Sequence, residues 1–152
     1  MSTQGGAFWR DAMAPGLDVF EELAAAAFAA LPEAFQELAR DVVIRIEDFP
    51  DDETLEAMEC ETPFDLLGLF HGSGLAQGGG QLWTGQMPNM VFLYRRPILD
   101  YWADNEETLG SLITHVLVHE IGHHFGLSDE DMEAIEQQAE ADSGSQQTDS
   151  MG

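Results

Sequence analysis

The sequence predicts a single α+β domain over residues 1–140, followed by a polar, disordered tail over 141–152. Three features carry that expectation. Apolar residues recur at helical spacing in two long stretches, one near the N-terminus and one near residue 117. Short runs rich in β-branched and aromatic residues lie between them and read as strands. Finally, 152 residues with 44% hydrophobic content are enough for one core and too few for two comfortable ones.

Residues 1–14 read as a loose arm, with Phe8, Trp9 and Met13 apolar enough to lie on the domain. Over 17–30, Val19, Phe20, Leu23, Ala24, Ala27 and Phe28 fall on one helical face, and Asp18, Glu21 and Glu22 sit near the end that favours negative charge. Pro32 suits the first position of a second, short helix over 32–39. In the run 42–47, Val42, Ile44 and Ile46 share one face of a strand and Arg45 and Glu47 the other. A turn over 48–52 and one helical turn over 53–58 follow.

The near-continuous apolar run within 65–71 predicts a second strand buried on both faces. Six glycines within 72–88 predict a mobile loop or an irregular hairpin. Residues 90–94 form a third strand, stopped by Arg95, Arg96 and Pro97. An Asx cap and carboxylates at 104–107 predict the start of a mostly buried helix running to Phe125, which Gly126 ends. Ser128 or Asp129 then caps a last helix over 130–139.

Composition excludes some functions. The formal charge is −24, from 29 acidic residues against five arginines, and it repels phosphate backbones and anionic lipids, so neither nucleic acid nor a membrane is an expected partner. No apolar run is long enough to span a bilayer, and the N-terminal stretch lacks a basic signal-like start. The lone Cys60 leaves no intramolecular disulfide, which fits a reducing interior and makes the cytoplasm the expected location. No acid occurs between Asp65 and Asp100, where Arg95 and Arg96 stand. Buried strands exclude carboxylates, which explains the gap; alternatively it lines a cleft whose arginines hold an anionic group. Oligomeric state is not encoded legibly.

Four of the five histidines lie in one stretch, at 115, 119, 123 and 124. His119, Glu120 and His123 make an H-E-x-x-H pattern, and His115, His119 and His123 climb one helix face at intervals of four. Two imidazoles at that spacing suit one zinc ion. Glu120 sits too far round the helix to be a third ligand; it is placed as the general base for metal-activated water attacking a peptide carbonyl. The break at Gly126 lets the chain reverse and bring Asp129 toward both histidines, although an aspartate there is also a common helix cap. Glu133, Glu136 and Glu140 stand in reserve as ligands. His115 reads either as a supporting or substrate-side group or as a structural histidine, and His124 as structural. Tyr94, Tyr101 and His71 are candidates for stabilising an oxyanion.

The series His119-Glu120-x-x-His123-x-x-Gly126-x-x-Asp129 resembles the extended zinc signature of metzincin-type peptidases, with aspartate in place of the usual third histidine. The chain more closely resembles small bacterial zincin-like metallopeptidases, through the run from His119 to Asp129, residues 62–69 and residues 94–98. That resemblance implies a mixed-sheet α+β zincin fold, an active-site helix under the sheet, one zinc ion on His119, His123 and Asp129, and hydrolysis of peptides or unfolded segments. The chain departs from metzincins in lacking a methionine turn, since Met132 lies too close to the third ligand and Met151 falls in the tail. It also lacks room for a large substrate-binding half. The rival expectation is a non-catalytic, zinc-stabilised interaction domain.

Overall fold

A computed structural model describes residues 2–72 and 89–151, with side chains described over 6–72 and 89–141. The glycine-rich loop expected over 72–88 therefore lies, beyond Gly72, outside the described residues. The elements run α1 (Ser2–Asp11), α2 (Leu17–Ala29), α3 (Glu33–Leu38), β1 (Val43–Glu47), α4 (Asp52–Ala57), β2 (Gly68–His71), β3 (Met90–Tyr94), α5 (Arg95–Asp104), α6 (Leu109–His124) and α7 (Asp129–Met151). None of the described helices is long and apolar enough to cross a membrane.

The sheet is mixed and small. Its order is β1-β3-β2, with β1 parallel and β2 antiparallel to β3. Alternation then sorts the side chains: Ile44 and Ile46 of β1, Val91 and Leu93 of β3, and Gly68 and Phe70 of β2 share one face. α6 packs across that face. A Cβ on Gly68 would sit 2.6 Å from Val116 Cγ1 and 3.0 Å from the Phe92 carbonyl oxygen, so the absent side chain sets how closely strand and helix approach.

α6 is the axis of the core. It buries Leu109, Leu112, Ile113, Val116, Leu117, Val118, Ile121 and Gly122, and touches α2, α5, α7, β2 and β3. Phe20 and Ala24 of α2, Val91 and Leu93 of β3, Ile98 of α5 and Met132 of α7 complete the cluster. Burying this apolar surface on several sides, rather than helix propensity, holds α6 in place.

Several expectations change. The run 65–71 is not a strand buried on both faces: β2 begins at Gly68, its last three residues are half-buried or exposed, and among the described residues it lies at the edge of a sheet centred on β3. Asp65 is diverted into a turn, its carboxylate accepting from the backbone N–H groups of Glu61 and Thr62. Arg95 to Pro97 do not end structure but open α5. Pro97 falls in the first turn, where its missing N–H has no intrahelical partner to lose. The cap of α6 is consequently Thr108, whose Oγ1 accepts from Ser111 N–H, and not the Asp104–Glu107 region. The arm over 1–14 carries helix α1, and α7 continues to Met151 through the segment read as a tail.

Candidate metal centre

The site is built on the hairpin of α6 and α7, and the turn between them is specified locally. Gly126 adopts φ +79°, a left-handed conformation that favours glycine. Leu127 N–H reaches back to the Gly122 carbonyl at 2.9 Å and Gly126 N–H to that of His123 at 3.1 Å, which satisfies the last carbonyls of α6. Ser128 then caps α7: its Oγ accepts from Asp131 N–H at 3.0 Å, and the Asp131 carboxylate accepts from Ser128 N–H at 3.3 Å. Ser128 thus takes the capping role, and Asp129 is left at the first helical position with its side chain 93% exposed.

Once the chain reverses at Gly126, residues at similar distances from the turn face one another. A polar seam results. Ser111 Oγ donates to Glu140 Oε2 at 3.1 Å, His115 Nδ1 lies 2.9 Å from Glu136 Oε1, and His119 Nε2 lies 2.8 Å from Glu136 Oε2. Nearest the turn, His123 Nε2 stands 3.9 Å from Asp129 Oδ1. Below the seam, fully buried Met132 lies against Gly122, where a Cβ would fall 2.5 Å from its sulfur. Only glycine lets α7 come this close.

Among the described residues, the group whose ligand atoms all lie within 4.8 Å of one another is His115, His119 and Glu136. Two imidazoles and a carboxylate make a nitrogen and oxygen donor set that suits zinc. The set expected from sequence, His119, His123 and Asp129, does not converge to that degree, although its members lie along the same seam. Glu136 stood only among three reserve glutamates. Its partnership with residues 17 and 21 positions away depends on how the hairpin closes, and the periodicity of the polar residues on α7 was the available signal.

Glu120 projects to the other side of α6, toward the sheet. Burial pushes its carboxyl above the ordinary glutamate range, opposed by the nearby His123 and by a hydrogen bond from Phe70 N–H. That bond follows from the strand register. Tyr94 N–H donates to the Leu67 carbonyl, so alternate residues Gly68 and Phe70 turn their backbone groups away from β3. Glu120 therefore sits beside the outer edge of β2.

Of the three groups considered for an oxyanion, Tyr94 is buried at the end of β3, and its phenol is pushed up to about 12 by burial, then by Glu47, Asp51 and Glu120. Tyr101 is 43% exposed on α5, and His71 is exposed at the end of β2. Neither makes a hydrogen bond or ring contact with the histidine ladder among the described residues. His124 stacks on Phe70 with ring centroids 4.0 Å apart, a packing role. Arg95 is occupied by Asp48 at 2.7 Å and by the Pro15 carbonyl at 2.8 Å, and Arg96 lies over the Phe49 ring. The arginine pair thus ties α5 to the turn after β1.

A small mixed sheet, a buried helix bearing H-E-x-x-H across it, and a metal-capable cluster on that helix define a zincin-like domain. The chain belongs to the family of zincin-like metallopeptidases, whose model matches residues 39–139, from the turn before β1 well into α7. No curated protein gives a significant match to the sequence.

Proposed function

We propose that this protein is a zinc-dependent peptidase acting on peptides or unfolded segments, with His119, His123 and Asp129 holding one ion and Glu120 as general base. The observation that carries the reading is the position of Glu120: a half-buried carboxyl, adjacent in sequence to His119, electrostatically coupled to His123 and aimed at the outer edge of β2. Asp129 suits the third position because Ser128 already caps α7 and leaves the aspartate free, 3.9 Å from His123. Two ligand atoms on one tetrahedral zinc ion stand about 3.4 Å apart, so a small rotation of either side chain closes that gap.

A bound zinc ion would supply a Lewis acid that makes water nucleophilic near neutral pH. Glu120 accepts the proton of the attacking water and passes it to the leaving amine. Its raised proton affinity suits both halves of that transfer. Among the described residues β2 is the outer strand, and its edge beside Glu120 is where an extended peptide backbone can lie in strand fashion, which favours unfolded chains over folded ones.

The test is Glu120→Gln, assayed on a quenched fluorogenic peptide with zinc content measured in parallel. The expected result is retained zinc and a loss of kcat/KM of about 10²–10⁴-fold. Hydrolysis that survives the substitution with zinc in place would refute the mechanism. Wild-type protein that holds zinc and cleaves none of a broad peptide library would instead indicate a zinc-stabilised interaction domain.

A further inference from the structure

The cluster that converges best is not the one that the peptidase reading uses. His119, His123 and Asp129 lie toward the turn end of the seam, with His123 60% and Asp129 93% exposed. One helical turn up, His115, His119 and Glu136 are already drawn together, with Glu136 19% and His119 25% exposed. Glu136 spans the two imidazoles, one carboxylate oxygen to each. The His115 and His119 rings lie 4.0 Å apart and tilted by 32°, so both present nitrogens to the same carboxylate.

We propose that His115, His119 and Glu136 form a second metal position, one helical turn from the first, which shares His119 with it and is filled only at its expense. The donor set is the kind that takes zinc or cobalt(II). Each imidazole nitrogen lies 2.8 or 2.9 Å from its own oxygen of Glu136, and one ligand atom from each residue can be chosen so that all three lie within 4.8 Å of one another. Ligands on one tetrahedral ion stand roughly 3.4 Å apart, so side-chain rotations without backbone movement gather them. Exclusivity follows from His119 Nε2, the nitrogen that faces Glu136. An ion held there leaves His123 and Asp129 as an incomplete pair.

The consequence for activity rests on the peptidase reading. An ion at the upper position engages His119, leaves the lower set incomplete, and sits one helical turn away from His123, the histidine whose charge Glu120 feels. The upper position therefore stores the metal in a silent state, and the protein switches on as the ion moves one turn down.

Metal binding to a variant that lacks the lower pair tests the position without reference to hydrolysis. Metal-stripped His123→Ala/Asp129→Asn protein is titrated with Co²⁺, following visible absorption and calorimetric heat. Both substituted side chains are mostly exposed, so the fold should tolerate the change, and near-ultraviolet circular dichroism checks it. The expected result is one equivalent of tetrahedral cobalt. Adding Glu136→Gln, which keeps the shape of the side chain, should weaken binding by at least about tenfold, as should adding His115→Ala. No cobalt in the double variant, or cobalt indifferent to both further substitutions, would overturn the proposal and leave Glu136 as a mere brace for two histidines.

Discussion

The two sides of α6 treat ionisable groups in opposite ways. Toward α7, each histidine of the ladder meets a carboxylate: Glu136 serves His115 and His119, and Asp129 stands near His123. Toward the sheet, Glu120 and Tyr94 are both acids held where burial disfavours their charged forms, and Tyr94 also feels Glu120. The α7 side sets imidazole nitrogens against carboxylate oxygens, a donor set for a cation. The sheet side keeps proton affinity high, which is useful to a base that must later give its proton back. One helix thus carries metal-capable groups toward α7 and an acid of high proton affinity toward the sheet, and the two sets meet at His123, whose charge Glu120 feels. His119 and Glu120, adjacent in sequence, fall on the two sides because consecutive residues are rotated by about 100°.

The largest effect that would break this division is a wedge between α6 and α7. In Gly122→Ala the new Cβ meets the Met132 sulfur at 2.5 Å and its Cγ at 2.9 Å, and Met132 is fully buried with little room to swing. Overpacking of this kind costs about 1–3 kcal/mol, enough to outweigh the roughly 1 kcal/mol that alanine gains over glycine inside a helix. Urea denaturation should show the loss. In a Met132→Ala background, itself less stable, the same alanine should be neutral or stabilising. An equal cost in both backgrounds would mean that the Gly122–Met132 contact does not set the seam.

Gly126 tests the turn that aligns the seam. Nothing lies within 4 Å of a Cβ there, so Gly126→Ala loses stability through its φ of +79° alone, by roughly 1–2 kcal/mol. Asparagine, which tolerates left-handed backbone, should cost less than alanine. If the turn also aligns the metal ligands, both variants should weaken cobalt binding in the same order in which they lower the thermal midpoint. Binding unchanged in the alanine variant would show that Asp129 and Glu136 find their positions without the turn.

What could be read from sequence was whatever a helix encodes within a few residues. His119, Glu120 and His123, the left-handed end at Gly126 and the cap after it all follow from spacing and local chemistry, β1 from its β-branched run and β3 from its apolar, aromatic one. Long-range closure was less legible. Glu136 looks like any surface glutamate until α7 folds back, and the apolar run containing β2 gives no sign that its strand begins only at Gly68 and is mostly half-buried. Pro97 reads as a stop because its place in the first turn of α5 depends on where that helix begins. The cap at Thr108 was hidden by a richer set of capping residues just before it, which α5 uses instead: Asn105 donates its side-chain amide to the Tyr101 carbonyl.

The smallest effect at neutral pH concerns the sheet side. The phenol of Tyr94 is pushed from the ordinary value of 10 up to about 12 by burial and by carboxylates around it. Its ionised form is therefore the one that the fold disfavours. Below pH 10 the phenol is protonated in both folded and unfolded chains and contributes no pH dependence. Between pH 10 and about 12 the unfolded chain releases the proton and the folded one keeps it, so stability falls as pH rises. Tyr94→Phe removes the group, and the stability difference between wild type and variant should stay flat up to pH 10 and then shift in favour of the variant. The chain has two tyrosines, so the variant leaves Tyr101 alone to report in the phenolate absorbance, and the late-titrating half of the wild-type signal should disappear. A difference that stays flat to pH 12, or a late phenolate step that persists in Tyr94→Phe, would place Tyr94 in contact with water and end the contrast between the two sides of α6.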